Sequence, residues 1–304
     1  FSPMLKDGLS FFLLSSSTSF FTAAARNVLF HVLDIRTPFI NWLEQFSLLV
    51  LLSCLIWLQV IPPSPSPSFK SLSKPTLFYV LESFLSNIAH SQFRTGQLFT
   101  MRCFDFIFTL TILHLHSSHK SNSTKRNLLL LSVFASISWF DPSHMEYTFM
   151  SIFASIILPF VKALRVISLK NTFHKTRCSV ERFAHMYTLI CSVLLFPFAF
   201  ISLVSRNVEV TASWESIDYA LMSLAPLWFA SALYADLWMI TQLPIELYII
   251  AEHTRMTAAS IGQWILQNMA HPSIIAFSSK IVFISTLIYS FPTFLTSTKR
   301  VNEE

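Results

Sequence analysis

Glycine is almost missing from this chain: Gly8, Gly96 and Gly262 are the three in 304 residues. Bundles of membrane helices usually place Gly where two backbones approach closely. Here Ser and Ala must serve instead, and Ser15-Ser16-Ser17 and Ala23-Ala24-Ala25 can. Charge is also scarce, at 12 % against 53 % hydrophobic residues. A soluble domain is about 25 % charged, so the composition excludes an ordinary soluble fold and implies an all-α polytopic protein seated in a lipid bilayer. Cys54, Cys103, Cys178 and Cys191 show no C-x-x-C spacing, which leaves buried free thiols rather than a disulfide frame or metal site. The loops carry no D-x-x-D or H-x-x-x-x-D constellation of the kind a membrane-surface transferase needs, so an enzyme is not expected. A net charge of +5 would suggest nucleic acid in a soluble chain. In a membrane chain, basic loops set orientation instead.

At roughly 20 residues per span, about ten hydrophobic segments are predicted: 9–31, 39–62, 76–93, 97–116, 127–140, 147–169, 183–205, 218–243, 256–279 and 281–298. Polar stretches separate them at Pro62 to Pro67, Ser117 to Arg126, Lys170 to Arg182 and Ser205 to Ser216. With both termini on one side, that side collects thirteen of the 21 Lys and Arg and the other side four. Arg26, Arg102, Lys162 and Arg165 remain within segments. The asymmetry places both termini on the cytosolic or equivalent side, where the sequon at Asn122 would escape glycosylation. A faint repeat links Ala24-Ala25-Arg26-Asn27-Val28 to Ala163-Leu164-Arg165-Val166-Ile167. It divides the chain into halves of five segments, 1–143 and 144–304, and an odd number inverts the second half, as in many secondary transporters.

The stretch from Glu146 to Asn171 holds the first candidate site. Lys162 and Arg165 arrive while the apolar run continues, three apart on one helix face. A cation at mid-membrane costs about 2.5–3.5 kcal/mol on insertion scales, so it persists where something offsets it. Arg102 and Asp105 form a second constellation with the same spacing. Two readings stand: an ion pair that fixes helix packing, or an Arg reserved for an anion and oriented by Asp105. The planar guanidinium suits phosphate because it donates two parallel hydrogen bonds.

These residues resemble the triose-phosphate and nucleotide-sugar translocators of the drug/metabolite transporter superfamily, as a divergent member. Thr100-Met101-Arg102-Cys103-Phe104-Asp105 is similar to that family's T-x-K-A-x-E element, and Ser86-Asn87 falls at its Thr-Asn pair. Glu146, Phe149, Ala163, Leu164 and Arg165 match the E-x-x-F and A-L-R-N-V-x-x-K elements, and Ser260-Ile261-Gly262-Gln263 resembles S-V-G-N. The resemblance spans almost the whole chain through short, degenerate motifs. It implies exchange of an organic phosphate, a phosphorylated sugar or a nucleotide sugar, for phosphate or a nucleotide. On that reading Arg102 and Arg165 bind the anion and Ser86 and Asn87 are polar contacts; beside it, Lys162, one turn before Arg165, and Gln267 are candidate substrate-binding residues, and Asp105 and Glu146 candidates for structural or coupling roles. No cofactor is implied. The organelle, plastid-type or Golgi/ER, and the oligomeric state stay open. One departure is plain: Leu266 and Gln267 stand where the sugar-phosphate branch has Lys-Arg.

An empty basic cavity should resist return across the membrane, and that resistance would couple export to import. A non-transporting scaffold is the alternative of another class, motivated by Leu266, Gln267 and the missing glycines. His114, His116 and His119 read as interfacial histidines, since a zinc site needs about four ligands in closed geometry. Glu246, Glu252, His253 and Arg255 read as a solvated loop, with a gating cluster at a cavity mouth as the alternative. Trp139, Trp228 and Trp238 read as interface or packing aromatics, and His271-Pro272 predicts a kink. The chain opens on Phe1 rather than Met, so a preceding segment, such as a cleaved targeting peptide, is expected as one reading.

Overall fold

The structure, a computed structural model, describes residues 3–29, 35, 37–92, 108, 149–176, 178–204 and 216–243, with scattered positions between 245 and 266. Every regular element among them is helical. In chain order these are α1 (Pro3–Asn27), α2 (Thr37–Trp57), α3 (Phe69–Gln92), α4 (Phe149–Thr176), α5 (Val180–Val204), α6 (Ser216–Ser223) and α7 (Ala225–Gln242). Helical backbone recurs from Ile245 to Leu266 at the positions described there. Two of the described helices, α2 and α5, are long and apolar enough to cross a membrane. At 21 residues and about 1.5 Å per residue, α2 reaches the thickness of a bilayer's hydrocarbon core, about 30 Å. On α5, Val193, Phe196, Phe200, Ile201 and Val204 are exposed. A continuous apolar face of that kind needs an apolar surrounding, and helices satisfy their backbone groups internally within one.

Five predicted segments, 9–31, 39–62, 76–93, 147–169 and 183–205, each coincide with one of these helices. The Pro/Ser run also behaves as expected, with 62–68 non-helical, because Pro has no backbone donor for a helix. Two expectations need correction. Segment 218–243 is not one helix: it breaks at Leu224 into α6 and α7, with Pro226 in the first turn of α7, where a missing N–H costs nothing. The expected polar loop 170–182 is mostly helix, since α4 runs to Thr176 and α5 starts at Val180. Nothing from Lys170 to Thr176 breaks a helix, and the Lys170 ammonium is occupied by the Leu243 carbonyl. Segments 97–116 (Phe108 apart), 127–140 and 281–298 lie outside the described residues, as do His114, His116, His119, Asn122, Trp139 and His271-Pro272. Of the thiols, Cys191 is buried but Cys54 is exposed, on the outer face of α2 rather than in a core.

The shortage of glycine has a visible consequence where α2 ends. Gln59 takes a positive φ of 59°, the conformation in which Gly is usual. Val60 N–H donates to the Leu55 carbonyl and Gln59 N–H to that of Ile56, both at 3.0 Å, the paired bonds of a Schellman cap. Gly262 is used differently. A Cβ there would overlap the carbonyl oxygen of Phe20 and lie 3.0 Å from its carbonyl carbon. The helical stretch carrying Gly262 therefore lies directly on the backbone of α1.

Packing runs chiefly between distant parts of the chain: α3 lies against α4, α2 against α5, and α1 against α7, with α7 also touching α2. The main core gathers Leu48, Leu72, Leu169, Phe183, Tyr187, Leu195 and Leu237. A smaller cluster of Ala25, Leu29, Ile40, Ala225 and Phe229 joins α1, α2 and α7. Phe21 stacks on Trp228 at 4.6 Å and Phe11 on Trp238 at 4.2 Å, so both tryptophans bind α1 to α7. Polar contacts add to this. Ser53 Oγ meets His185 Nε2 at 3.1 Å between α2 and α5, and the Tyr234 hydroxyl donates to Glu181 at 3.2 Å between α7 and α5.

Candidate functional site

Charges inside apolar helices must find partners or leave the bilayer, and here they find one another around a single cavity. Arg26 closes the apolar run of α1. Its Nε donates to Glu44 Oε1 on α2 at 2.5 Å, and its Nη2 bonds the second carboxylate oxygen and Asn41 Oδ1 at 3.3 Å. Asn41 in turn donates to Ser83 Oγ on α3 at 2.9 Å. Beside Ser83, Glu82 holds Arg165 of α4 in an ion pair of 2.6 Å. Tyr79, one turn earlier on α3, places its ring centroid 5.5 Å from the same guanidinium, which adds a cation–π attraction.

Lys162 sits one turn before Arg165 and donates to Glu252 Oε1 at 2.9 Å. Glu252 also accepts from Arg255 at 2.8 Å, and Arg255 approaches Asp236 of α7 at 3.3 Å. The Tyr248 hydroxyl donates to that same Asp236 oxygen at 3.3 Å. Glu252, Arg165 and Asp236 are almost fully buried, whereas the Arg26 side chain keeps 33 % and that of Arg255 22 % of its surface.

All eight charged groups line one cavity of about 190 Å³, with Ser19, Thr22, Asn41, Ser83 and Ser86 as neutral polar lining and Phe229 and Leu233 as apolar wall. Among the described lining residues, four cations (Arg26, Lys162, Arg165, Arg255) face four carboxylates (Glu44, Glu82, Asp236, Glu252). The cavity therefore carries no net formal charge from these groups. Chemically it is a set of occupied anion receptors: each cation can receive an incoming oxyanion in place of its resident carboxylate. Among the described residues, no group of three or more His, Cys, Asp or Glu is placed to hold a metal.

Of the residues singled out in the sequence, Lys162, Arg165 and Ser86 are brought together here. Asn87 is half-buried on α3 and does not line the cavity. Arg102, Asp105, Glu146 and Gln267 lie outside the described residues. Leu266, at the position where a clamp cation was expected, packs against the apolar cluster of Ala24, Val28 and Leu221.

Sequence reasoning missed the carboxylates. Glu44, Glu82 and Asp236 each fall inside a predicted span, and a carboxylate there is as costly as the cations that drew attention; that cost was the available signal. The solvated-loop reading of Glu252 and Arg255 is corrected outright. Glu252 is 6 % exposed and binds both Lys162 and Arg255, because the chain beyond α7 turns back over the cavity. Compared with family models and with curated proteins, the sequence matches none of them.

Proposed function

We propose that this chain is a membrane carrier that exchanges a small phosphorylated solute, a sugar phosphate or similar organic phosphate, for phosphate across an organelle membrane. The observation that carries this reading is the cavity itself. Four cations from α1, α4 and the 245–266 stretch converge on about 190 Å³ between helices drawn from both ends of the chain. Three of the four cations are Arg, whose planar forks match phosphate oxygens bidentately. The size favours a small solute over a nucleotide sugar, since sites for drug-sized ligands run to about 300–1,000 Å³.

The carrier is further proposed to comprise ten helices in two inverted five-helix halves, 1–143 and 144–304, with both termini on the cytosolic or equivalent side. The pattern of contacts supports that layout. Pairing first helix with first, second with second and third with third across the halves exchanges the α1–α7 contact with the α3–α4 contact. The α2–α5 contact maps onto itself. Arg26 on α1 and Arg165 on α4 then correspond, each held by a carboxylate of another helix. Alternating access would proceed by rocking one half against the other.

The test is counter-exchange in liposomes loaded with labelled phosphate and supplied externally with sugar phosphates or, separately, nucleotide sugars. Exchange with the sugar phosphates, abolished by Arg102→Ala and reduced by Lys162→Gln, is the expected result. Full transport by Arg102→Ala would remove Arg102 from the site. A folded wild-type protein that neither exchanges any of these solutes nor gains thermal stability from phosphate would sink the carrier reading and leave the scaffold.

A further inference from the structure

The charge balance of the cavity bears on whether exchange is compulsory. A carrier with bare cations in its site is held back when empty, because closing the site removes those charges from water with nothing to replace it, at a cost of several kcal/mol per ion. Such a carrier needs a counter-solute to return. Here the four described cations already have partners without any solute: Arg26 on Glu44, Arg165 on Glu82, Lys162 on Glu252, and Arg255 on Glu252 and Asp236. Apart from Arg255 with Glu252, these contacts join separate elements, α1 to α2, α3 to α4, and α4 and α7 to the 245–266 stretch, so the resident carboxylates stand where the counter-solute would.

We infer that the unloaded carrier returns without counter-solute, so that the protein catalyses net, uncoupled movement of the phosphorylated solute alongside exchange. This rests on the carrier reading above and replaces the coupling expected from an empty basic cavity. Solute binding would displace carboxylates from the cations, and solute release would let the same pairs re-form. The two half-cycles, loaded and empty, then cross the membrane with the charges of these eight residues satisfied in both.

The experiment uses the full chain in liposomes loaded with labelled inorganic phosphate, with the membrane potential clamped at zero. Efflux is compared with and without unlabelled phosphate outside. The wild-type protein is expected to show the two rates within about fivefold, a barrier difference of about 1 kcal/mol. In Glu44→Gln the cavity gains one uncompensated positive charge at Arg26. Its empty return should slow, so external phosphate should now stimulate efflux by about tenfold or more. Glu82→Gln gives the same comparison at Arg165 should Glu44→Gln fail to fold.

Wild-type efflux that occurs only with external phosphate overturns the inference while leaving the carrier reading intact. A variant that loses one carboxylate yet keeps the wild-type ratio overturns its electrostatic cause. Absence of phosphate movement in both arms by folded protein overturns the carrier reading and the inference together.

Discussion

The ion pair between Arg165 and Glu82 offers the sharpest physical test of the site. Replacing Glu82 by Ala leaves the Arg165 guanidinium, whose side chain is 6 % exposed, without its anion. Removing one partner of a buried pair costs about 3–5 kcal/mol, mainly because the survivor stays desolvated. Two features place this case at the lower end. Tyr79 keeps its ring over the cation, and Glu82 itself is 17 % exposed toward the cavity, so water can enter the vacated space. We therefore expect a loss of about 3 kcal/mol. At about 2 °C per kcal/mol for a chain of this size, that is a fall of about 6 °C in apparent Tm.

Arg165→Ala should fall by a similar amount, while the double variant should lose less than the sum, because it strands neither charge. Tryptophan fluorescence during heating in detergent, for wild type, both single variants and the double, completes the cycle. Phosphate supplies an internal check. A bound anion stabilises by RT ln(1 + [L]/Kd), about 2.7 kcal/mol at a hundredfold excess over Kd, so phosphate should restore Glu82→Ala more than Arg165→Ala. Additive single variants, or Glu82→Ala melting with the wild type, would refute the pair as a structural element.

Other predictions concern the backbone and the thiols. Gly262→Ala places a methyl group against the Phe20 carbonyl and should destabilise by about 1–3 kcal/mol through overpacking, read as a lower apparent Tm. Gln59→Gly should raise stability by about 0.5–1 kcal/mol, since it relieves the positive φ at the end of α2 with both cap hydrogen bonds kept. A hydrophobic maleimide should label Cys54 in the folded, detergent-solubilised protein and Cys191 only after denaturation, as read by mass spectrometry. Arg255→Met leaves Glu252 held by Lys162 alone and Asp236 by Tyr248. It should cost more stability than Lys162→Met, which leaves Arg255 bound to both carboxylates.

Hydropathy made the long helices legible, because a run of some twenty apolar residues has few alternatives to a helix in lipid. The break at Leu224 was less so, since Pro226 interrupts an otherwise uniform apolar stretch and Pro is tolerated either inside a membrane helix or at its first turn. Lys162 and Arg165 were visible as isolated cations in an apolar run. Glu252 and Arg255 were not, because a cluster of charges between two apolar segments has the same composition whether it faces water or folds back over a cavity. Deciding between those requires knowing that Lys162 and Asp236 wait on the other side, which is a property of tertiary packing. Glu44 and Glu82 lay open to the same reasoning as the cations, and only their pairing, not their presence, required coordinates.

The way the helices pair also bears on how the protein is made. Two of the three principal contacts of the first three helices, α1 with α7 and α3 with α4, join residues before 93 to residues after 148, and the third, α2 with α5, does the same. A ribosome that has delivered only α1 to α3 has produced helices whose main neighbours among the described helices do not yet exist. Of the charge pairs among the described residues, only Arg26 with Glu44 can close at that stage; the Glu82 pair waits until Arg165 is synthesised. These contacts therefore form only after residues beyond 148 are made, and until then α1 to α3 expose surfaces of the kind that chaperones shield. A stop codon or stalled ribosome before residue 149 leaves Glu82 without Arg165, the partner it has in the finished protein, a mark by which quality control can recognise an unfinished chain.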